Sequence, residues 1–292
     1  MKPAPFAYYR PATLEDAAAR LADGADEGAM ILAGGQSLVP MMALRVAYPS
    51  ELIDLNTVPG LDTPRVEGNT LVIPALVRHA TFHTPDPAFG PTGDLMASVV
   101  RHIAHHPIRQ RGTFCGSLAH ADPSSEWALT ATTLGAELEL LSVRGTRRIP
   151  IADWIDGAMS TTREPDEILT AAHLPLIPPG SLSGFYEVSR RAGDFALGMA
   201  LVVLGMDGDR IGEASIGLGG IEEIPRRIPE AEAALQGQPA TPESFATAAQ
   251  AAMDAVDPMS DATTPASYRR DLAGTVIRRA LAQAATRLPA PV

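Results

Sequence analysis

A glycine pair near the start sets the first constraint on this chain. Residues 30–33 form a short apolar run that stops at Gly34-Gly35, and residues 38–44 carry a helical pattern with Ser37 placed to cap it. The spacing predicts a strand, a tight loop and a helix. Bare backbone in such a loop can approach an anion closely, and a helix start favours negative charge, so the segment suits a phosphate or diphosphate. It lacks the Lys-Ser/Thr ending of a Walker loop and the Gly-x-Gly-x-x-Gly spacing of a dinucleotide fingerprint. Taken alone, it also reads as a plain strand–turn–helix.

A second segment changes the balance. Arg111-Gly112-Thr113-Phe114-Cys115-Gly116-Ser117-Leu118-Ala119-His120-Ala121-Asp122-Pro123 is dominated by small and hydroxyl residues. Thr113 and Ser117 can donate to phosphate or ribityl oxygens, and Asp122-Pro123 signals the start of a helix running to about Leu134. Two anion-ready loops in one domain fit a ligand with two phosphates and two large ends. Aromatic residues make up only 5% of the chain, so such a pocket is built from backbone and small side chains.

The surrounding pattern is mixed. Thr13 can cap a helix carrying Leu14, Ala17, Ala18 and Leu21 on one face. Strands are expected over 52–55, 70–74, 137–143 and 168–174, and Leu95, Met96, Val99, Val100 and Ile103 share helical spacing. Residues 175–183, with Pro175, Pro178, Pro179 and Gly180, form the best linker. Beyond it, strands are expected over 185–190, 196–206 and 213–218, the last two joined at Asp207-Gly208-Asp209, and helices over 230–235, 242–255 and 268–285. The fold class is therefore α+β. One domain spans 1–178, with subdomains of about 1–59 and 60–178. A smaller domain spans 179–292, with a three-stranded antiparallel sheet plus helices.

Composition excludes several function classes. A net charge of −11 over 292 residues, without a Lys/Arg run, argues against nucleic acid and against a polybasic membrane patch. No run of about 18 apolar residues occurs, so no integral membrane segment is expected, and the cytoplasm is the default compartment. Cys115 is the single cysteine, which rules out an internal disulfide and a four-thiolate cluster on this chain. His79 and His83, and the group His102, His105 and His106, lack a convergent third ligand of recognised spacing, so no metal site is assigned. His105-His106-Pro107 reads as a helix end. Arg190-Arg191 suits either a partner or cofactor phosphates on one reading and a solvated strand edge on the other. Arg147-Arg148 and Arg226-Arg227 read as surface pairs, and the charges of the last helix as a solvated face.

Three motifs carry a family resemblance. Ala33-Gly34-Gly35-Gln36-Ser37-Leu38, followed by Val39-Pro40-Met41-Met42-Ala43-Leu44-Arg45, resembles the family's Ala-Gly-Gly-(His/Gln/Thr)-Ser-Leu and Leu-Pro-x-(Met/Leu)-(Lys/Arg)-x-Arg. Ile108-Arg109-Gln110-Arg111-Gly112-Thr113-Phe114-Cys115-Gly116-Ser117 is similar to Ile-Arg-Asn-x-Gly-Thr-(Ile/Val)-Gly-Gly-(Ser/Asn/Asp), and Ala121-Asp122-Pro123-Ser124-Ser125-Glu126 follows as Asp-Pro-x-x-(Glu/Asp) does. Phe185-Tyr186-Glu187-Val188-Ser189-Arg190-Arg191-Ala192-Gly193-Asp194-Phe195-Ala196 looks like the opening of the family's C-terminal domain. In order and at this spacing, they resemble the FAD-binding medium subunit of molybdenum hydroxylases. That is the xanthine dehydrogenase and carbon monoxide dehydrogenase medium-subunit family, whose FAD domain is of the vanillyl-alcohol-oxidase (PCMH) type.

The resemblance implies roles by position. Ala33, Gly34, Gly35, Gln36, Ser37 and Leu38 form the diphosphate loop. Thr113, Gly116 and Ser117 line the second flavin loop, continued by Ala121 and Asp122. Glu126 stands where the family has a carboxylate near the ribityl or adenosine part. Ile168 or Leu169 touches the ring system or adenine, and residues 219–224 match a loop that covers one flavin face. No catalytic residue is assigned. Cys115 replaces the first glycine of the usual pair. A positive φ there would strain it by about 1 kcal/mol or more; an ordinary backbone would leave a free thiol beside the cofactor or a small buried residue.

FAD on this chain would receive electrons from two [2Fe-2S] clusters on a small partner subunit. A large partner would hold molybdenum–pterin and choose the substrate, the whole forming a dimer of heterotrimers. Carbon monoxide, aldehydes and N-heterocycles stay open as substrates, and NAD, a quinone, a redox protein or oxygen as acceptor. The alternatives are a self-sufficient FAD-dependent oxidoreductase of the same domain type and a non-catalytic nucleotide-binding protein.

Overall fold

The computed structural model describes residues 2–286; Met1 and residues 287–292, which the expected domain bounds include, lie outside the described residues. The first unit comprises β1 (Ala7–Tyr9), α1 (Leu14–Gly24), β2 (Met30–Leu32), α2 (Leu38–Ala43) and β3 (Glu51–Asp54). Thr13 caps α1 through its hydroxyl, which accepts from the Asp16 amide at 3.1 Å, and Ala17, Ala18 and Leu21 bury the apolar face against Ile53 and Leu55. The strands run parallel in the order β1-β3-β2. Parallel neighbours require the chain leaving β2 to travel back before β3 begins. The Gly34-Gly35 loop and α2 make that return, which places the loop at the carboxyl end of β2.

The second unit comprises β4 (Arg65–Glu67), β5 (Thr70–Pro74), α3 (Pro91–Val99), α4 (His106–Arg109), α5 (Phe114–His120), α6 (Glu126–Leu134), β6 (Glu137–Ser142), β7 (Gly145–Pro150), β8 (Ile155–Gly157), β9 (Ser160–Thr161) and β10 (Ile168–Pro175). Its main sheet is antiparallel in the order β4-β5-β10-β6-β7. The central strand β10 is buried on both faces from Ile168 to Leu174. A register shift between Leu169 and Ala171 interrupts the two-residue alternation, so Leu169, Ala172 and Leu174 all enter the core beneath α5 and α6. Ile168 points the other way, into the core of the first unit. Thus β10 is the wall between two cores.

The third unit comprises β11 (Leu182–Ser189), β12 (Ala196–Asp207), β13 (Arg210–Gly219), β14 (Arg226–Arg227), α7 (Pro229–Leu235), α8 (Pro242–Ala255) and α9 (Ala266–Ala285). The sheet is antiparallel in the order β11-β12-β13-β14, so the expected three strands gain a short fourth. Its two residues are more than a surface pair. Arg226 meets Glu222 at 2.6 Å and Arg227 meets Glu232 at 2.8 Å, which closes the sheet edge. Alternation along β12 sends Met199 and Leu201 into the core of the second unit and Ala200, Val202 and Leu204 under α7–α9. The expected linker is tied down at its start: Leu176 donates its amide to Asn69 O (2.9 Å) and Ile177 to Thr92 Oγ1 (2.8 Å).

Two smaller expectations are corrected. Asp122-Pro123 does not begin α6. Asp122 Oδ1 accepts from the Ser124 amide at 2.8 Å in a side-chain turn, and the helix starts at Glu126 with Ser125 as its cap. His105 caps the start of α4 by position, so the His105-His106-Pro107 run opens a helix where an end was expected. No helix of the described residues is long and apolar enough to cross a membrane.

The last helix is not solvated along every charge. Arg269 of α9 is 4% exposed; it donates to Leu197 O at 2.8 Å, to Gly220 O, and to Asp261 Oδ2 at 2.7 Å. It therefore fastens α9 to the loop after β13. Arg269→Leu would leave two buried carbonyls unpaired and should lower stability by about 2–4 kcal/mol, read as a drop in the thermal midpoint. An unchanged midpoint would mean the three bonds contribute nothing net.

Candidate functional site

The two loops singled out by the sequence lie against each other. A side chain at Gly34 would run into the Arg111 carbonyl and come within 2.7 Å of Gly112 Cα, so only glycine allows this approach. Gly35 holds φ at +72°, a left-handed conformation that glycine adopts without strain. Among the described residues, none accepts a hydrogen bond from the backbone N–H groups of Gly34, Gly35, Gln36, Ser37 or Leu38. Five consecutive amides are thus available to an anion. Gln36 folds back through Nε2 to Gly34 O at 3.2 Å. Ser37 precedes α2 with helical backbone and makes no side-chain cap bond, which corrects the expected cap and leaves its hydroxyl uncommitted.

A polar chain that the sequence did not reveal holds the loops in place. Tyr8 donates to Asp54 Oδ2 at 2.5 Å, and Asp54 Oδ1 accepts from the Asn56 backbone at 2.9 Å. Asn56 Nδ2 then donates to Ala33 O at 2.8 Å, at the root of the first loop. Asn56 Oδ1 accepts from Arg78 Nη2, and Arg78 Nη1 donates to Arg111 O in the second loop. Asp54-Leu55-Asn56 after a strand has the form of a side-chain turn, a legible if general signal. Nothing local marks Arg78.

The second loop is braced from beneath. His79 donates its amide to Gly112 O at 3.0 Å, and Phe114 donates to Val77 O at 3.0 Å. The His79 ring accepts from Trp127 Nε1 at 2.9 Å through Nδ1, which leaves the proton of the neutral ring on Nε2. Burial first, then Arg78 and Arg109, holds its pKa down at about 3. Thr113 is buried and caps α5, its Oγ1 accepting from the Gly116 amide at 3.0 Å. Its hydroxyl proton is the part left for a ligand. Gly116 and Ser117 are half-buried on the first turn of α5.

Cys115 lies in the same turn but faces inward. It is 2% exposed, its Sγ–H points at Ile73 O at 3.3 Å, and burial pushes its pKa up to about 12. Its φ is not positive, so the strained alternative does not arise, and neither does an accessible thiol beside a cofactor. Ile168 and Leu169 are also committed: at 1% and 7% exposure, they pack in the two cores that β10 separates. Among the described residues, no three His, Cys, Asp or Glu side chains converge as a metal site.

Past α5 the chain meets the third unit. Ala121 ends the helix at φ +52° and accepts from the Met159 amide at 2.9 Å. Pro123 O accepts from the Gly220 amide at 2.9 Å, and Ser124 Oγ donates to Ala196 O at 3.0 Å. The 219–224 loop is therefore brought to the segment after Asp122. Glu126 opens α6, where a helix start favours a carboxylate by about 0.3–1 kcal/mol. Burial, helped by Glu187 and Asp122, outweighs this and raises its pKa to about 8. Glu187 on β11 is raised to about 7 by burial; its Oε2 has no hydrogen-bond partner, and His102 Nδ1 stands 3.9 Å away.

Both glutamates gain protons on folding. Stability from this source is complete below the ordinary carboxylate pKa and is lost as pH rises through 7 and 8. His79 is neutral when folded and half protonated when unfolded at pH 6.5, so it opposes the trend slightly until about one pH unit higher, above which it is neutral in both states. The cofactor-free chain should lose about 3–6 °C of thermal midpoint between pH 6.5 and 9, and Glu126→Gln should flatten the slope. A flat profile in the parent chain would show that these carboxyls are not buried as acids.

Comparison with known proteins places the chain in a family. The chain matches the FAD binding domain in molybdopterin dehydrogenase over residues 4–177 and the CO dehydrogenase flavoprotein C-terminal domain over residues 183–284. It is 40% identical over 287 residues to the nicotine 6-hydroxylase medium subunit of Paenarthrobacter nicotinovorans, covering 98% of this chain and 100% of that one. It is 36% identical to the 6-hydroxypseudooxynicotine dehydrogenase complex subunit alpha of the same organism, covering 97% and 96%. Among solved structures, quinoline 2-oxidoreductase from Pseudomonas putida 86 superposes with a TM-score of 0.92 at 36% identity, covering 98% of this chain and 99% of that one. The chain belongs to the FAD-binding medium-subunit family of molybdenum hydroxylases.

Proposed function

We propose that this chain holds FAD between its two glycine loops and passes electrons from the [2Fe-2S] clusters of a small partner subunit to an external acceptor. The observation that carries the reading is the contact between residues 33–38 and 111–116, where Gly34 lets the two loops meet without a side chain between them and five consecutive amides of the first loop stay uncommitted. A dinucleotide diphosphate fits this cradle, since backbone N–H groups and a helix start are what such a group requires. Bound there, FAD supplies an electron relay that works singly or in pairs.

The chain's own residues have positional tasks. Ala33, Gly34, Gly35, Gln36, Ser37 and Leu38 hold the diphosphate through backbone groups. Thr113, Gly116 and Ser117 line the second loop, with Ala121 and Asp122 shaping its far end. The half-buried Glu126, an acid at neutral pH, offers a hydroxyl to the ribityl or adenosine part. Ile168 and Leu169 act as the apolar wall behind the site, with only backbone left to touch the cofactor. Residues 219–224 close the same end from the third unit. The functional division proposed is 1–178 for FAD binding, in subdomains of about 1–59 and 60–178, and 179–292 for the C-terminal domain.

The assembly proposed is a dimer of heterotrimers in the cytoplasm, with a large molybdenum–pterin subunit that selects the substrate. Relatives named for nicotine and quinoline favour an N-heteroaromatic substrate.

The purified complex should show a flavin absorption spectrum and release FAD in near-stoichiometric amount, identified by mass. Gly35→Val and Gly116→Val should each remove most of the bound FAD, the first because a β-branched residue is strained at φ +72°, the second because its side chain would strike Thr113 Oγ1. A colourless complex that binds no added FAD would refute the reading. Turnover of an organic substrate by this chain alone would replace it with a self-sufficient flavin oxidoreductase.

A further inference from the structure

We infer that Arg78, with Asn56, is the positioning residue that sets the gap between the two cofactor loops and supplies the cation that opposes the diphosphate. This rests on the FAD reading above and adds to it a residue outside both motifs.

The geometry is specific. One guanidinium spans two elements, with Nη2 to Asn56 Oδ1 and Nη1 to Arg111 O. Asn56 in turn holds Ala33 O at 2.8 Å. The loop before Gly34 and the loop before Gly112 are thus tied to one another through two side chains. The Arg111 carbonyl that Arg78 holds is also the atom a Gly34 side chain would strike, so guanidinium and glycine converge on one oxygen. The charge therefore sits at the edge of the five-amide cradle.

The charge is also uncommitted. Among the described residues, no carboxylate lies within salt-bridge distance of Arg78; both of its bonds go to neutral oxygens. Burial and the neighbouring Arg111 already weigh against its charged form, which is an arrangement an arriving anion would relieve. Asp54 lies one residue away in the network, but it is occupied by Tyr8 and Asn56. Arginine suits this role because its planar fork makes two bonds in different directions and keeps a full charge.

The test is FAD affinity of the complex after flavin removal, measured by fluorescence titration at two salt concentrations, with ADP as a probe that carries the diphosphate without the flavin. Arg78→Gln should weaken both FAD and ADP by about 10- to 100-fold and flatten the salt dependence. Arg78→Lys keeps the charge but cannot make both bonds, so it should recover the salt dependence and only part of the affinity. Asn56→Ala should weaken FAD while leaving the salt dependence of the parent. A purely structural role would lower affinity equally in Arg78→Gln and Arg78→Lys with no change in salt dependence, and that result would overturn the charge assignment. If Arg78→Gln does not assemble, Arg78→Lys decides by the same comparison. Parent-like affinity in both variants, with the parent binding FAD, would overturn this inference alone; a parent that binds no FAD would overturn the reading beneath it.

Discussion

The contact between Gly34 and the Arg111 carbonyl is the constraint around which the rest of the N-terminal half is arranged. It joins a loop at the end of a parallel strand to a loop at the start of α5, far apart in sequence, with no room for a side chain between them. Each loop is then fixed from its outer side. Asn56 and Arg78 hold the facing carbonyls, and His79, itself oriented by Trp127, holds the second loop from below. An anion-binding backbone needs this rigidity, because amides that must be reordered on binding lose much of their advantage.

The cores support the same geometry. Because β10 carries a register shift, it presents apolar residues to the core beneath α5 and to the core of the first unit from one strand. Both loops are therefore mounted on a shared wall. The β11–β13 sheet packs one face on the second unit and the other on α7–α9, so the C-terminal part continues the same stack. Its loop after β13 is pinned by the buried Arg269 and meets the segment after α5. The far end of the site is in this way a junction between two units.

Charge is distributed unevenly along that path. At the glycine loops stands an arginine without a carboxylate in salt-bridge distance among the described residues; toward the third unit stand Glu126 and Glu187, both raised by burial. The cationic end suits a diphosphate, and the end with neutral acids suits hydroxyl groups. An overall charge of −11 gives no hint of this local order.

Sequence alone determined the longer elements and the first glycine loop, because glycine pairs, capping threonines and apolar periodicity act over a few residues. Residues 70–74 form a strand as read, α8 spans the expected 242–255, and the first motif loop lies between β2 and α2 as its strand–turn–helix pattern put it, whereas the second motif, read as a loop, is helical over Phe114–His120. Tertiary structure decided what no local pattern encodes. It turned Cys115 inward, sent Ile168 and Leu169 into opposite cores, moved the start of α6 to Glu126, and buried Arg269 on a helix that reads as solvated. It also recruited Arg78, an unremarkable residue in sequence, because Arg111 reaches it only through the fold of the second unit and Asn56 only when the first unit packs against the second. Backbone preference is local, whereas the fate of a polar side chain depends on which distant groups share its surroundings.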